Sequence, residues 1–520
     1  MGGGLGGLST ALGLARMRGV SGVQVLEAQE DVGGRMRTRY APGCERPLYE
    51  EGAWRISQRH RRMMGLCGAL RLEMLEVASE GSGALRAWLG PGGEAGGGGG
   101  RRGPGISCPR GTLSSWDAAA EELGVRGAEA EAARSGYAGL DVMAAGSDSY
   151  GVESGERGGE EATYYVPAKG MSSVCARLRE EFERHARCSV HLKTRVVDVR
   201  RTGEGYMVLC EQRVGGNAFS GRSFWADAVV VAVPPSHVAQ WPGVARPLAP
   251  VLAALSPVAL LKVFSEAGPE FREAAGVPGA FHLKADTLGQ QVISNTYPGT
   301  DFVQLAYCAG RRAEALERLR LCGDLMGPLS RELLQLLEAP GPQKRRLREA
   351  LGSKPHAVHF WSEAVHVWNP GYDLDVSLKS AQACLTPHAA LPRLFLCGEA
   401  FSTVQGWGEG ALQTSELVVS ELARTAKFVA REGGLPPPRV PRGLFPGAGA
   451  STTLMTYGGR VMDVGAWSKV HPGGEGAIKA HLGEDVTSLW DSIMHPRYAL
   501  GLVFALQVGW SSVEDRDSGV

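Results

Sequence analysis

Apolar and polar positions change period quickly over the first sixty residues. LSTALGLARMRG, from Leu8, has apolar residues at helical spacing, and VQVLEA, from Val23, is an apolar run of strand length. GGRMRT, from Gly33, reads as a turn into a second strand, and Ser57 as the N-cap of a helix reaching Leu70. From Gly81 to Gly105 glycine dominates and the pattern vanishes; so little apolar surface cannot offset its ordering entropy, which predicts a flexible insertion. Helical spacing returns from Trp116 to Arg134.

A second ordered stretch begins near Tyr164, with a helix predicted from Ser172 to Ala186. SVHLKTRVVDVRR and YMVLCEQ follow as strands, then AVVVAVPP, a wholly apolar run closed by prolines, as in a buried strand of a parallel sheet. VALLKVFSEA predicts a further strand, Ala313 to Leu337 helices, RLFLCGEAFS a strand, and Glu409 to Leu422 a helix. The Pro/Gly-rich LPPPRVPRGLFPGAGA then separates a last block starting near Ser451.

Composition narrows the picture. A chain of 520 residues, 43% apolar, supports several packed domains. Lys plus Arg number 55, as do Asp plus Glu, so no net field draws nucleic acid or an anionic membrane. Ten cysteines lie scattered without a CxxC pair, which points to reduced thiols inside a cell, in the cytoplasm or an organelle. The apolar run from Ala499 to Gly509 is too short to span a bilayer.

The chemistry begins at GGGLGGLS, where Gly2, Gly4 and Gly7 form GxGxxG directly before a helix. Bare backbone there permits a tight turn and lets a pyrophosphate approach the helix N-terminus. Glu27, twenty residues past Gly7, ends VQVLE where a carboxylate can accept ribose hydroxyls. Only Met1 precedes Gly2, so the strand that normally leads into this fingerprint is expected to be missing: either the N-terminus is truncated or the cofactor site is built incomplete.

Gly33, Gly34 and Arg35 follow at the spacing of two-dinucleotide-fold flavoproteins, which this region resembles, and GEAFSTVQGWGEGALQTSE resembles the C-terminal FAD motif of the flavin amine oxidase family. The resemblance covers about residues 1 to 425. It implies an α/β fold: a Rossmann-like FAD-binding domain from 1–60, 187–262 and 385–430, interleaved with an α+β substrate domain from 61–186 and 263–384, and a linker at 431–450. It also implies noncovalent FAD. The second glycine pair and Arg35 would pass the cofactor phosphates, and Val196 would meet the adenine. Glu399 would bind the ribityl or phosphate region, and Trp407, Gly408 and Glu409 would aim a helix N-terminus at the flavin.

Within that family, YEEGAWRISQRHRRMMGL looks most like the L-amino acid oxidase branch, whose corresponding arginine clamps the substrate carboxylate; Arg55 takes that position. Lys262 resembles the lysine that holds a water at the reactive flavin nitrogen, and Tyr372 and Trp407 resemble the aromatic pair flanking the substrate amine. His366, in AVHVW, could reach a substrate, though a lone histidine among apolar residues is more often structural. The implied reaction is oxidation of an amine or L-amino acid to an imine, then to an oxo product and ammonia, with oxygen or an electron-transfer partner as acceptor. Polyamine oxidases and carotenoid-type desaturases share this fold and are the competing activities; an oxidase half that has decayed into a haem-binding carrier is the non-catalytic alternative.

The last block, 451–500, resembles cytochrome b5 through VMDVGAW, HPGG and GEDVTSLW, with His471 and His495 separated by 24 positions. A small α+β domain binding haem b is implied, both histidines ligating the iron, so that electrons could pass from flavin to haem.

Overall fold

A computed structural model describes residues 1–77, 163–425 and 453–510, without 18, 204, 216–217, 267–270, 272–281, 285–287, 295–296, 298–299, 301, 337–340, 353–354, 370–375, 458–459, 466–467, 469–473, 487–488 and 491–506. The Gly-rich stretch at 81–105 and the helix expected from Trp116 lie outside the described residues, as does the linker at 431–450.

The N-terminal unit is built on two short parallel pairs: Val23–Leu26 beside Cys188–His191, and Val229–Val231 beside Leu394–Leu396. Met1 and Gly2 join them. The Gly2 N–H donates to the Leu26 carbonyl (2.8 Å), the Ala232 N–H to the Met1 carbonyl (2.8 Å), and the Met1 ammonium to the Val230 carbonyl (2.7 Å). Met1 and Gly2 thus lie between the two pairs, in the position expected of a central strand. The helix Leu5–Ala15 packs over this sheet against the helix Gly408–Thr425, where Thr10 donates to the Ser415 hydroxyl (3.0 Å). A Cβ on Gly13 would sit 2.8 Å from a Val419 methyl, so the two helices approach at bare backbone.

Three expectations need correction. SVHLKTRVVDVRR is two strands, because Lys193 turns with φ +53: Cys188–His191 joins the parallel pair, while Thr194–Thr202 enters an antiparallel sheet with Gly205–Gly215 and Ala218–Ala226. Ser57 is not an N-cap; it lies in the strand Ile56–Ser57, and the helix starts at Arg61, after His60. The helix Ser172–Glu183, assigned to the substrate domain, buries Val174, Leu178 and Phe182 in the same core as Leu8 and Val25 of the N-terminal unit.

The second unit is a five-stranded antiparallel sheet in the order 282–284, 291–294, 302–309, 255–266, 357–368. The boundary drawn at 262 cuts the strand Leu255–Glu266, which pairs along its length with Phe302–Ala309 and Ala357–Trp368 and so belongs wholly to this sheet. Side chains alternate across it. Leu261 and Val263 face a core with Leu316, Leu329, Leu333 and Leu347 from the helices Gly310–Leu321, Met326–Leu336 and Gly341–Leu351, leaving Lys262 on the opposite face.

The C-terminal block is a three-stranded antiparallel sheet, Leu454–Tyr457, Arg460–Asp463 and Gln507–Trp510, with a short helix Glu475–Lys479 over Met455, Met462, Val464, Ile478 and Val486. Its last strand extends the domain past the expected end at 500. No helix among the described residues is long and apolar enough to cross a membrane.

Candidate active site

Two glycine turns lie side by side at the mouth of the first helix. Gly4 is that helix's N-cap and offers no side-chain cap, so its opening N–H groups remain available to an anion. Gly33 (φ +124) and Gly34 (φ +56) run beside it, with the Gly33 N–H donating to the Gly3 carbonyl (2.9 Å). The third glycine acts differently: a Cβ on Gly7 would run into the Gly2 carbonyl oxygen, so Gly7 sets the distance between helix and sheet rather than lining the cleft. Gly7→Ala should therefore push the helix off the turn. An overpacking cost of about 1–3 kcal/mol is expected, read as a lower melting temperature; an unchanged melting temperature would contradict it.

Between these turns runs a cleft of about 670 Å³ lined by Gly2, Gly4, Glu27, Gly33, Gly34, Arg35, Val196, Glu399, Trp407 and Gly408, among others. One end is Glu27, whose carboxylate accepts the Gly3 N–H (2.6 Å) and the Gln29 N–H (2.8 Å). The Thr194 N–H donates to the Glu27 carbonyl (2.8 Å), which brings Val196 alongside. At mid-cleft Glu399 accepts from Arg35 Nη1 (2.6 Å), the His366 N–H (2.9 Å), the Gly406 N–H (2.7 Å) and His366 Nδ1 (3.2 Å). Burial alone would raise this carboxyl, but Arg35 and His366 outweigh it and hold it well below the usual range. Burial works against a charged His366; the Glu363 carboxylate 3.8 Å from its Nε2 and the Glu399 carboxylate at its Nδ1 raise it nonetheless.

At the far end the cleft meets a smaller cavity of about 90 Å³, the two sharing Leu260, Tyr307, Val365 and Trp407 in their walls. Arg55 is part of the cavity wall, its guanidinium 3.8 Å from the Tyr164 ring centroid and 4.9 Å from that of Trp54. His60 lies in the same wall with its ring edge-on to Trp407 at 4.6 Å. Lys262, fully buried, donates to the carbonyls of Glu50 (3.0 Å) and Gly52, with the Tyr307 ring 5.1 Å away. Burial lowers this lysine and raises the nearby Glu50 carboxyl, which accepts from Tyr297, Thr38 and the Met171 N–H.

The structure brings most of the expected cofactor residues to one cleft, places Arg55 in the adjoining cavity, puts Lys262 in neither wall, and separates a few others. Glu409 does not line it: its carboxylate accepts the N–H groups of Arg62 (3.1 Å) and Met63 (2.9 Å), capping the helix Arg61–Ala69. Gly408 still opens the last helix at the cleft. Tyr372, His471 and His495 lie outside the described residues. Tyr307 went unnoticed in the sequence, although as the cross-strand partner of Lys262 it must share that face.

The bare-backbone turns, the uncapped helix start and the Glu27 carboxylate beside them are chemically suited to an adenine dinucleotide, which Gly4, Gly33, Gly34, Arg35, Glu27 and Val196 would hold.

The family model for flavin containing amine oxidoreductase matches residues 5–125 and 130–423, and that for the cytochrome b5-like heme/steroid binding domain matches 448–510. A search of curated proteins found no match. Among solved structures, a mutant of putrescine oxidase with redesigned cofactor binding is similar at 19% identity and TM-score 0.57, over 82% of this chain and 98% of that one. Wild-type putrescine oxidase bound to putrescine gives 18% and 0.56, over 81% and 98%. A putative protoporphyrinogen oxidase from Exiguobacterium sp. 255-15 gives 15% and 0.54, over 81% and 97%.

Proposed function

Because the chain belongs to the flavin-containing amine oxidoreductase family and ends in a cytochrome b5-like domain, we propose that it is an FAD-dependent oxidase of a small L-amino acid. The observation that carries this reading is Arg55, a buried guanidinium in the cavity that adjoins the cleft, with no Asp or Glu among the described residues of that wall. A substrate carboxylate is attracted there, whereas the second ammonium of a diamine would meet a like charge. FAD, when bound, supplies the hydride acceptor.

The chain's own groups do the rest. Arg55 holds the carboxylate, which fixes the carbon bearing the amine at the cavity mouth. Trp407 and the apolar side chains of Ile56, Met63 and Leu260 exclude water from it. Lys262 keeps one position on Nζ beyond the Glu50 and Gly52 carbonyls, and that position would hold an ordered water. The net change is L-amino acid plus oxygen plus water to 2-oxo acid, ammonia and hydrogen peroxide. The C-terminal domain is proposed as an alternative electron acceptor.

The test is anaerobic addition of L-amino acids, and of the amines made by decarboxylating them, to purified full-length protein. Bleaching of the visible flavin bands by amino acids, with ferrous haem bands following, is the expected result. Bleaching by amines alone would overturn the substrate assignment, and an oxidised haem beside bleached flavin would remove the C-terminal domain as acceptor.

A further inference from the structure

We propose that His60 is a second anchor for the substrate carboxylate, so that the cavity grips this group between the Arg55 guanidinium and an imidazole N–H. The proposal rests on the reading of a carboxylate-bearing substrate. His60 is 2% exposed, at the start of the helix Arg61–Ala69, and shares the cavity wall with Arg55 and Trp407. Its Nδ1 accepts a long hydrogen bond from the Ser57 N–H (3.4 Å). Accepting at Nδ1 places the proton of the neutral ring on Nε2. That Nε2 is buried and has no hydrogen-bond partner among the described residues.

A buried donor left unmatched is costly, and in native structures such a group calls for a functional role, a water or an ion to account for it. Burial, and then the charge of Arg55, push His60 down to about 4, so it stays neutral at physiological pH and does not repel its neighbour's charge. A carboxylate has acceptor sites enough for both groups. Arg55 would supply the charge and His60 a direction, which turns general attraction for an anion into one orientation of the α-carbon.

The test compares holoenzyme with His60→Phe, which keeps an aromatic ring beside Trp407 but no donor, and with His60→Gln, which keeps an N–H. Propionate and its neutral analogue propionamide are titrated by perturbation of the flavin spectrum, with flavin content and melting temperature measured in parallel. The propionate-to-propionamide affinity ratio should fall about 10- to 100-fold in His60→Phe, as for loss of a hydrogen bond to a charged group, and recover partly in His60→Gln. An unchanged ratio in a His60→Phe protein that retains flavin overturns the role, as does an equal loss for both probes. Should His60→Phe fail to fold, His60→Leu, which also lacks a donor, decides by the same ratio against wild type. Wild-type protein that neither binds propionate nor oxidises any amino acid would overturn the substrate reading itself, a result distinguishable from the others because no variant is needed to see it.

Discussion

Replacing Arg55 with methionine should abolish the preference for an L-amino acid over its decarboxylated amine. Methionine keeps an unbranched apolar stem, so the change removes charge and fork geometry while leaving most of the side-chain volume. Truncating one partner of a buried, hydrogen-bonded charge pair costs about 2–5 kcal/mol, equivalent to roughly 30- to 5,000-fold in kcat/KM for the amino acid. The amine, freed from a like charge, should improve. Arg55→Lys should recover only part of the loss, because the planar guanidinium lies over Tyr164 and Trp54, whereas an ammonium is a point charge that cannot bind bidentately. Steady-state kinetics with both substrate classes decide the matter, and melting temperatures separate lost recognition from lost stacking. Equal losses for acid and amine would mean that Arg55 supports the wall and does not read the substrate.

The sequence announced the cofactor half of the site better than the substrate half, for a physical reason. Dinucleotide binding is done by backbone, and backbone needs leave local marks: Gly2, Gly7, Gly33 and Gly34 stand where a Cβ is excluded or a positive φ is required. The cavity instead joins side chains from separate elements, so nothing local links His60, Tyr307 and Trp407. Lys262 was visible as a lysine in an apolar strand, yet only the alternation against Leu261 and Val263 shows that it faces Glu50 rather than the helices. Glu409 fails in the opposite way. It stands in the expected motif, but its carboxylate serves a neighbouring helix, since a residue at the start of one helix can also cap another packed beside it.

Glu399→Ala should both destabilise the protein and release flavin, because one carboxylate ties the cleft floor together. It accepts from Arg35, from both the backbone and ring of His366, and from the Gly406 N–H that fixes the loop carrying Trp407. Removing one partner of a buried pair costs about 3–5 kcal/mol, and the low end applies because the Arg35 side chain keeps 31% of its exposure and can turn to water. With roughly 2–4 °C lost per kcal/mol in units of 150–250 residues, the melting temperature should fall by roughly 6–12 °C. Glu399→Gln, matched in shape, should fall less. The pH dependence separates charge from shape. The folded carboxyl sits below its ordinary value, so its contribution is present above the usual carboxylate range and is lost only on strong acidification. His366 sits above its ordinary value, so the stability gained from its charge is complete below the usual histidine range and fades as pH rises through the raised value. The gap between wild type and Glu399→Gln should therefore narrow in mild alkali. A gap that stays constant from pH 6 to 9 would show that the pair contributes through fit alone, and a Glu399→Ala protein that keeps its flavin and melting temperature would remove Glu399 from the cofactor site.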